Sequence, residues 1–247
     1  MEVHHHGHVH HETVWKQYLS QFLMLFLAVF CGSLAEYYLE HNLERERETE
    51  YANSMIQDLD EDLINIEIDL KLTSERIQNA DSLISEMNSD DYKSKTSMIY
   101  YRARKLSMLG YTYSMTDGTL MELKNSGNLR LIKSKTMVDS IQAYYNVYQQ
   151  SEEAQEFSII ELDKYRDEMI QIFDAKVFGQ MIKNFPELSK PEGNPPLFNE
   201  NTLLMNSFLM RVEMTKTNAI VNERYLTKLK NSAKILRESI SKSYIED

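Results

Sequence analysis

Residues 52–87 read ANSMIQDLDEDLINIEIDLKLTSERIQNADSLISEM, and their spacing decides the class of fold. Apolar or small residues recur at Ala52, Ile56, Leu59, Leu63, Ile66, Leu70, Thr73, Ile77, Ala80, Ile84 and Met87, alternately four and three apart. That repeat keeps one stripe of a helix turned toward a partner over many turns, so it predicts a coiled-coil-like seam. The same steps run through Met205, Phe208, Val212, Thr215, Ala219, Asn222, Leu226, Leu229, Ala233, Leu236 and Ile240. A third run passes from Val138 through Ile141, Tyr145 and Tyr148 to Ile159, Leu162, Met169 and Phe173, with Glu152 and Gln155 inside it, which predicts a bend or a register shift there.

Proline and glycine mark where these helices stop. All four prolines, Pro186, Pro191, Pro195 and Pro196, fall in one short window, so nothing before it is barred from helix by proline. Around them lies an irregular stretch, 184–201, which either caps a bundle tip through Phe185, Leu188, Leu197 and Phe198 or docks on a partner. Asn201 or Thr202 is a natural N-cap for the last helix. Two short helices, about 95–110 and 116–126, separate the first and third runs, with Gly127 placed as a left-handed C-cap. Together these pieces predict an all-α fold whose body is an elongated antiparallel helical bundle, the two short helices supplying its fourth layer.

N-terminal to the seam, Gln17–Ala35 (QYLSQFLMLFLAVFCGSLA) carries no charge. As a helix it is roughly 28 Å long, against a hydrocarbon core of about 30 Å. Trp15 and Tyr18 lie at one end and Tyr37 and Tyr38 at the other, where amphipathic rings favour the membrane interfaces. The expectation is a retained transmembrane helix continuing into the bundle: a tail over 1–13, a span over 14–38 and the helical domain over 39–247. Two alternatives compete with it. Ser33-Leu34-Ala35 resembles a signal-peptide cleavage site, though Lys16 is the only basic residue ahead of it, and a buried core helix would tolerate Gln17, Ser20 and Gln21. Lys16 before the span against Arg45 and Arg47 after it favours an inward C-terminal side, while the glutamate-rich EYYLEHNLERERETE and the short N-terminal tail favour an outward one; the reading adopted places the body outside the cytoplasm. Ala28 and Gly32 form a small-xxx-small pair suited to self-association of spans.

The chemistry of the 247 residues is sparse. A net charge of −11 argues against nucleic acid as a partner, since phosphate needs a basic surface. No histidine follows His41 and the only cysteine is Cys31, so the helical body holds no Ser-His-Asp set, no Glu-x-x-His metal pair and no cysteine nucleophile, and the chain is not expected to be an enzyme. The run Asp58, Asp60, Glu61, Asp62 lacks the glycine turn of a calcium loop and reads as a solvated helix face. The tail is different: His4, His5, His6, His8, His10 and His11 offer enough imidazole nitrogens for zinc or nickel, and the rival reading makes them a polar cap on the span.

The segments NLERERETEYANSMIQDLDEDL after the span and LMELKNSGNLRLIKSKTMVDSIQAYY from Leu120 to Tyr145 resemble an uncharacterised family of bacterial proteins with one N-terminal span and a long helical domain. The opening EVHHH followed by FLMLFLAVFCG is similar to a subset of them. The resemblance implies the anchor and the fold, and it implies no activity, cofactor or catalytic residue; the location expected is the bacterial inner membrane, single-pass, with the bulk of the chain in the periplasm. The function expected is that of a membrane-anchored interaction or scaffold protein, an oligomer or a subunit of a membrane complex, touching the lipid bilayer and other membrane proteins. The alternative is a sensor or metal-handling accessory using the histidine tail.

Overall fold

The computed structural model describes residues 11–108, 114–184 and 187–244. The fold is all-α: α1 (His11–Met87), α2 (Thr96–Ser107), α3 (Gly118–Asn125), α4 (Lys135–Ile172), α5 (Ala175–Gln180) and α6 (Thr202–Tyr244), with 3-10 turns at Tyr92–Lys95 and Asn128–Leu131. A two-stranded antiparallel pair, β1 (Ile182–Asn184) with β2 (Glu187–Leu188), leads into the stretch 184–201 read as irregular from sequence. The chain divides into two compact units, 1–51 and 52–247, and the boundary falls inside α1.

In the first unit the helix presents apolar side chains on every side. An 18-residue stretch near its N-terminus is long and apolar enough to cross a membrane, and none of it is buried. Phe22, Phe26 and Phe30, one turn apart, stack in a ladder with ring centroids 6.3 and 5.9 Å apart. Tyr37 stacks on His41 at 6.1 Å, just beyond the uncharged run.

In the second unit the heptad repeat organises burial. The α6 seam lies where its spacing places it: every residue from Phe208 to Ile240 in that series is buried, and Met205 is half-buried. In α4 the buried series is Met137, Ile141, Tyr144, Ser151, Gln155, Leu162, Tyr165, Met169 and Ile172, with Tyr148 and Ser158 half-buried between them. Its three-four alternation never breaks, so the expected register shift does not occur. Ser151 and Gln155 enter the seam, while Ile159, expected there, is exposed.

The α1 seam is rotated by one position from the sequence expectation. Ala52, Leu59, Ile66, Thr73, Ala80 and Met87 are buried as the pattern requires. The other buried ladder is Met55, Asp62, Asp69 and Leu83, with Arg76 in series, whereas Ile56, Leu63, Leu70, Ile77 and Ile84 are only half-buried on the flank. A wide face accommodates both ladders, and the polar one is buried more deeply than the half-buried flank series.

Ion pairs fix the direction of the helices. Asp60 pairs with Arg237 (2.5 Å), Glu67 with Lys230, and Asp81 with Lys216 (3.0 Å). Each step of one or two heptads along α1 is matched by an equal step back along α6, so the two run antiparallel in coiled-coil register. Contacts from Arg102 to Glu86 (2.9 Å), Lys105 to Glu75 (3.6 Å), Thr116 to Asp62 (2.8 Å) and Thr119 to Asp58 (3.2 Å) carry α2 and α3 back along α1 one after the other.

At the far end an aromatic core closes the unit. Phe208 packs against Tyr165 and Phe173 at 5.3 and 5.4 Å, and Tyr100 meets Phe173 edge-on at 5.0 Å. The stretch 187–201 covers this end. Leu197 is buried, Leu188 packs on the cluster, and Phe198 donates its backbone N–H to the Ile172 carbonyl at 3.0 Å, satisfying the C-terminus of α4. Tyr100 ties the cover down through its hydroxyl, which donates to the Pro196 carbonyl (3.0 Å) and accepts from the Asp174 N–H (3.1 Å). Phe198 itself stays exposed, and Phe185 lies outside the described residues. Asn201 caps α6, its side chain accepting from Leu203 N–H (2.9 Å) and Leu204 N–H (3.3 Å). Gly127 follows α3 at φ 71°, a left-handed conformation that suits glycine.

Two outcomes check this packing. Leu83→Ala, at a fully buried site, should cost about 2–5 kcal/mol in chemical denaturation, and Ile84→Ala clearly less. The Lys230 ammonium beside Glu67 holds that carboxyl below its ordinary value. A carboxyl lowered by folding contributes stability above the carboxylate range and loses it as pH falls through that range, from about pH 5 downward. Glu67→Gln should therefore flatten part of the acid limb of the stability curve.

Candidate functional site

The acidic run of α1 does not form one solvated face, because its four members meet different surroundings. Glu61 is exposed, and Asp60 faces Arg237. Asp58 accepts from the Thr119 N–H at 3.2 Å. The side chain of Asp117, the residue before α3, makes no capping bond, so a carboxylate from another helix serves the N-terminal donors of α3, where the helix dipole favours negative charge.

Asp62 corrects the solvated-face reading outright, being 1% exposed. Its Oδ1 accepts from the Thr116 N–H at 2.8 Å and its Oδ2 from the Tyr144 hydroxyl at 2.5 Å. The short contact is that of a charge-assisted bond to a carboxylate. One buried side chain thereby holds α1, the segment leading into α3, and α4 together. Around it Met55, Leu59, Met115, Leu120, Ile141 and Leu236 line a small cleft, with Asp58, Asp62, Thr116 and Tyr144 as its polar members. The polar groups of this cleft are engaged with one another, so its chemistry is that of a latch beside an apolar hollow.

A second polar feature lies further along the same helices. Asp69, Thr73 and Arg76 stand as far beyond Asp62 on α1 as Ser151, Gln155 and Ser158 stand beyond Tyr144 on α4. The Asp62–Tyr144 bond sets the two helices level, so this register puts six polar side chains at matching heights. On α6 the buried Asn222, one of two polar members of its seam with Thr215, lies near them. The Ser151 hydroxyl and the Asn222 amide oxygen are buried with no hydrogen-bond partner among the described residues. Burial pulls the Arg76 guanidinium below its ordinary pKa, Asp69 pushes it back up, and Arg166 lowers it further. Arg166 itself grips the end of α2, donating to the Ser107 carbonyl through Nε (3.0 Å) and Nη2 (2.8 Å). Sequence periodicity places Thr73 and Asn222 in the seams and singles out Gln155, but passes over Asp69, Arg76, Ser151 and Ser158, which fall outside its apolar series.

The candidate metal ligands His4, His5, His6, His8 and His10 lie outside the described residues, and of His11 only the backbone, at the start of α1, is described. Among the described residues no three His, Cys, Asp or Glu side chains converge where a metal ion could sit. Cys31 is exposed on the apolar stretch.

No family model matches the chain, and neither a curated protein nor a solved structure shows significant similarity to it. The test of the Asp62 latch therefore rests on its own residues. Tyr144→Phe removes a donor from a buried carboxylate and should cost about 1–3 kcal/mol in chemical denaturation. Asp62→Ala should in addition speed hydrogen exchange at the Thr116 amide, whose acceptor it removes.

Proposed function

We propose that this chain is a membrane-anchored helical interaction protein that works as an oligomer or as a subunit of a membrane complex. One observation carries the reading: the uncharged helix over 17–35 is apolar on all sides and wholly exposed. A surface of that kind is costly in water and favourable in a bilayer, whose thickness its length matches. The tyrosines and the single tryptophan at its ends are placed as interfacial anchors.

The body is an elongated antiparallel bundle, about 60 Å long for helices of this length. Its polar groups are spent on helix-to-helix fastening, as at Asp62, Tyr165 and Arg166, which supports a scaffold over a reaction centre. The resemblance of its sequence to uncharacterised bacterial single-span proteins supports placing it in the inner membrane, with the bundle in the periplasm.

Alkaline carbonate washing of native membranes should leave the full-length chain in the pellet. Release into the supernatant overturns the anchored reading, and a mature N-terminus at Glu36 would replace the anchor with a cleaved signal peptide. Protease added to spheroplasts should degrade the bundle if it faces outward.

A further inference from the structure

The α4–α6 pair carries an apolar strip on its outer surface that the fold does not use. Two links bracket it: Gln150 to Lys228 at 3.0 Å and Glu161 to Arg211 at 3.5 Å. Phe157 stands one heptad beyond Gln150, and Val221 and Met214 stand one and two heptads before Lys228. All three therefore project on the side where Gln150 meets Lys228, at heights between or beside the two links. Ile160 extends the strip on α4 and Met210 on α6, five full turns from Lys228. Phe157 is 54% exposed, Ile160 53%, Met210 55%, Met214 46% and Val221 38%.

The charges beside the strip differ on its two edges. Toward Gln150 and Lys228 the α4 edge bears the exposed Glu153 and Glu156 and the α6 edge the exposed Arg224 and Lys228, while toward Met210 the signs change, with Lys164 on α4 and Glu213 on α6. Glu153 and Arg224 lie at nearly the same height in the register set by Gln150 and Lys228. A two-fold axis parallel to the helices keeps heights unchanged while it brings the acidic edge of one copy onto the basic edge of the other. The strip is thus complementary to itself, as an isologous interface requires.

We propose that the strip Phe157–Ile160–Met210–Met214–Val221 is the contact through which two copies of this chain dimerise, α4 of each copy lying against α6 of the other. The inference rests on the oligomeric part of the reading above and names its surface. Apolar side chains at the centre exclude water, and the charged edges fix the pairing and disfavour the arrangement in which α4 of one copy meets α4 of the other and like edges face.

The test uses the full chain purified in detergent, in a Cys31→Ser background. Copies carrying Glu153→Cys and copies carrying Arg224→Cys, separately tagged, should form a disulfide-linked heterodimer when mixed and oxidised. Phe157→Ser with Ile160→Ser should shift sedimentation to the monomer while leaving thermal unfolding unchanged, since both sites are exposed. Glu153→Lys should weaken self-association about tenfold, because symmetry breaks each pair twice, and adding Arg224→Glu should restore it. A chain that sediments as a monomer overturns both this proposal and the oligomeric reading. An oligomer that resists the serine double variant and gives no 153–224 cross-link overturns this surface alone.

Discussion

A carboxylate buried as deeply as that of Asp62 must be given donors, and the arrangement of the second unit follows from where they come. Stripping a carboxylate of water costs several kcal/mol, and removing one partner from a buried ionic group commonly destabilises by about 3–5 kcal/mol. The donors are the backbone N–H of Thr116 and the hydroxyl of Tyr144, 54 and 82 residues further along the chain. The charge is satisfied only once α1, the α3 entry and α4 have all assembled. A contact of this kind makes partial structures unfavourable and ties the unit into one cooperative whole.

The same contact selects a register. Sliding α4 by one heptad against α1 would bring Met137 to Asp62 in one direction, and a thioether donates no hydrogen bond. A purely apolar seam has no comparable objection to slipping, because leucines in successive heptads are nearly interchangeable. The polar ladder Asp62, Asp69 and Arg76 therefore exchanges stability for uniqueness, as a single buried polar residue does in two-stranded coiled coils. The outer ion pairs of Asp60, Glu67 and Asp81 repeat the register on the surface, where each is worth little alone.

How much of this is legible in the sequence depends on whether a residue's burial is a local matter. The α6 seam is read correctly throughout, since apolar and small residues bury themselves wherever they recur with helical period. The α1 ladder is misplaced by one position because Ile56, Leu63, Leu70, Ile77 and Ile84 form the more apolar series, yet that series lies on the flank. Asp62 is buried because of Tyr144 and Thr116, and no window of sequence around it contains either. Glu152 and Gln155 look like a break in α4 for the same reason, yet Gln155 joins Ser151 in the seam while Glu152 stays exposed: a polar residue in a seam is a defect by pattern and a part by structure. The cover formed by 187–201 is visible as a loop from its prolines, while its attachment through Tyr100 is visible only in three dimensions.

Within the second unit, heptad position alone does not explain the choice of exposed residues. Gln150 and Phe157 occupy equivalent positions on α4, as Lys228, Val221 and Met214 do on α6, and the polar members meet the needs of folding at that position fully. Replacing a glutamine–lysine contact one heptad along by phenylalanine and valine leaves more than half of the phenylalanine surface in water in an isolated copy. Single exposed apolar residues are ordinary, but here they align across two helices and are edged by opposite charges. The fold tolerates that strip without requiring it, and the proposed dimer gives it a cover whose edge charges are of the same make.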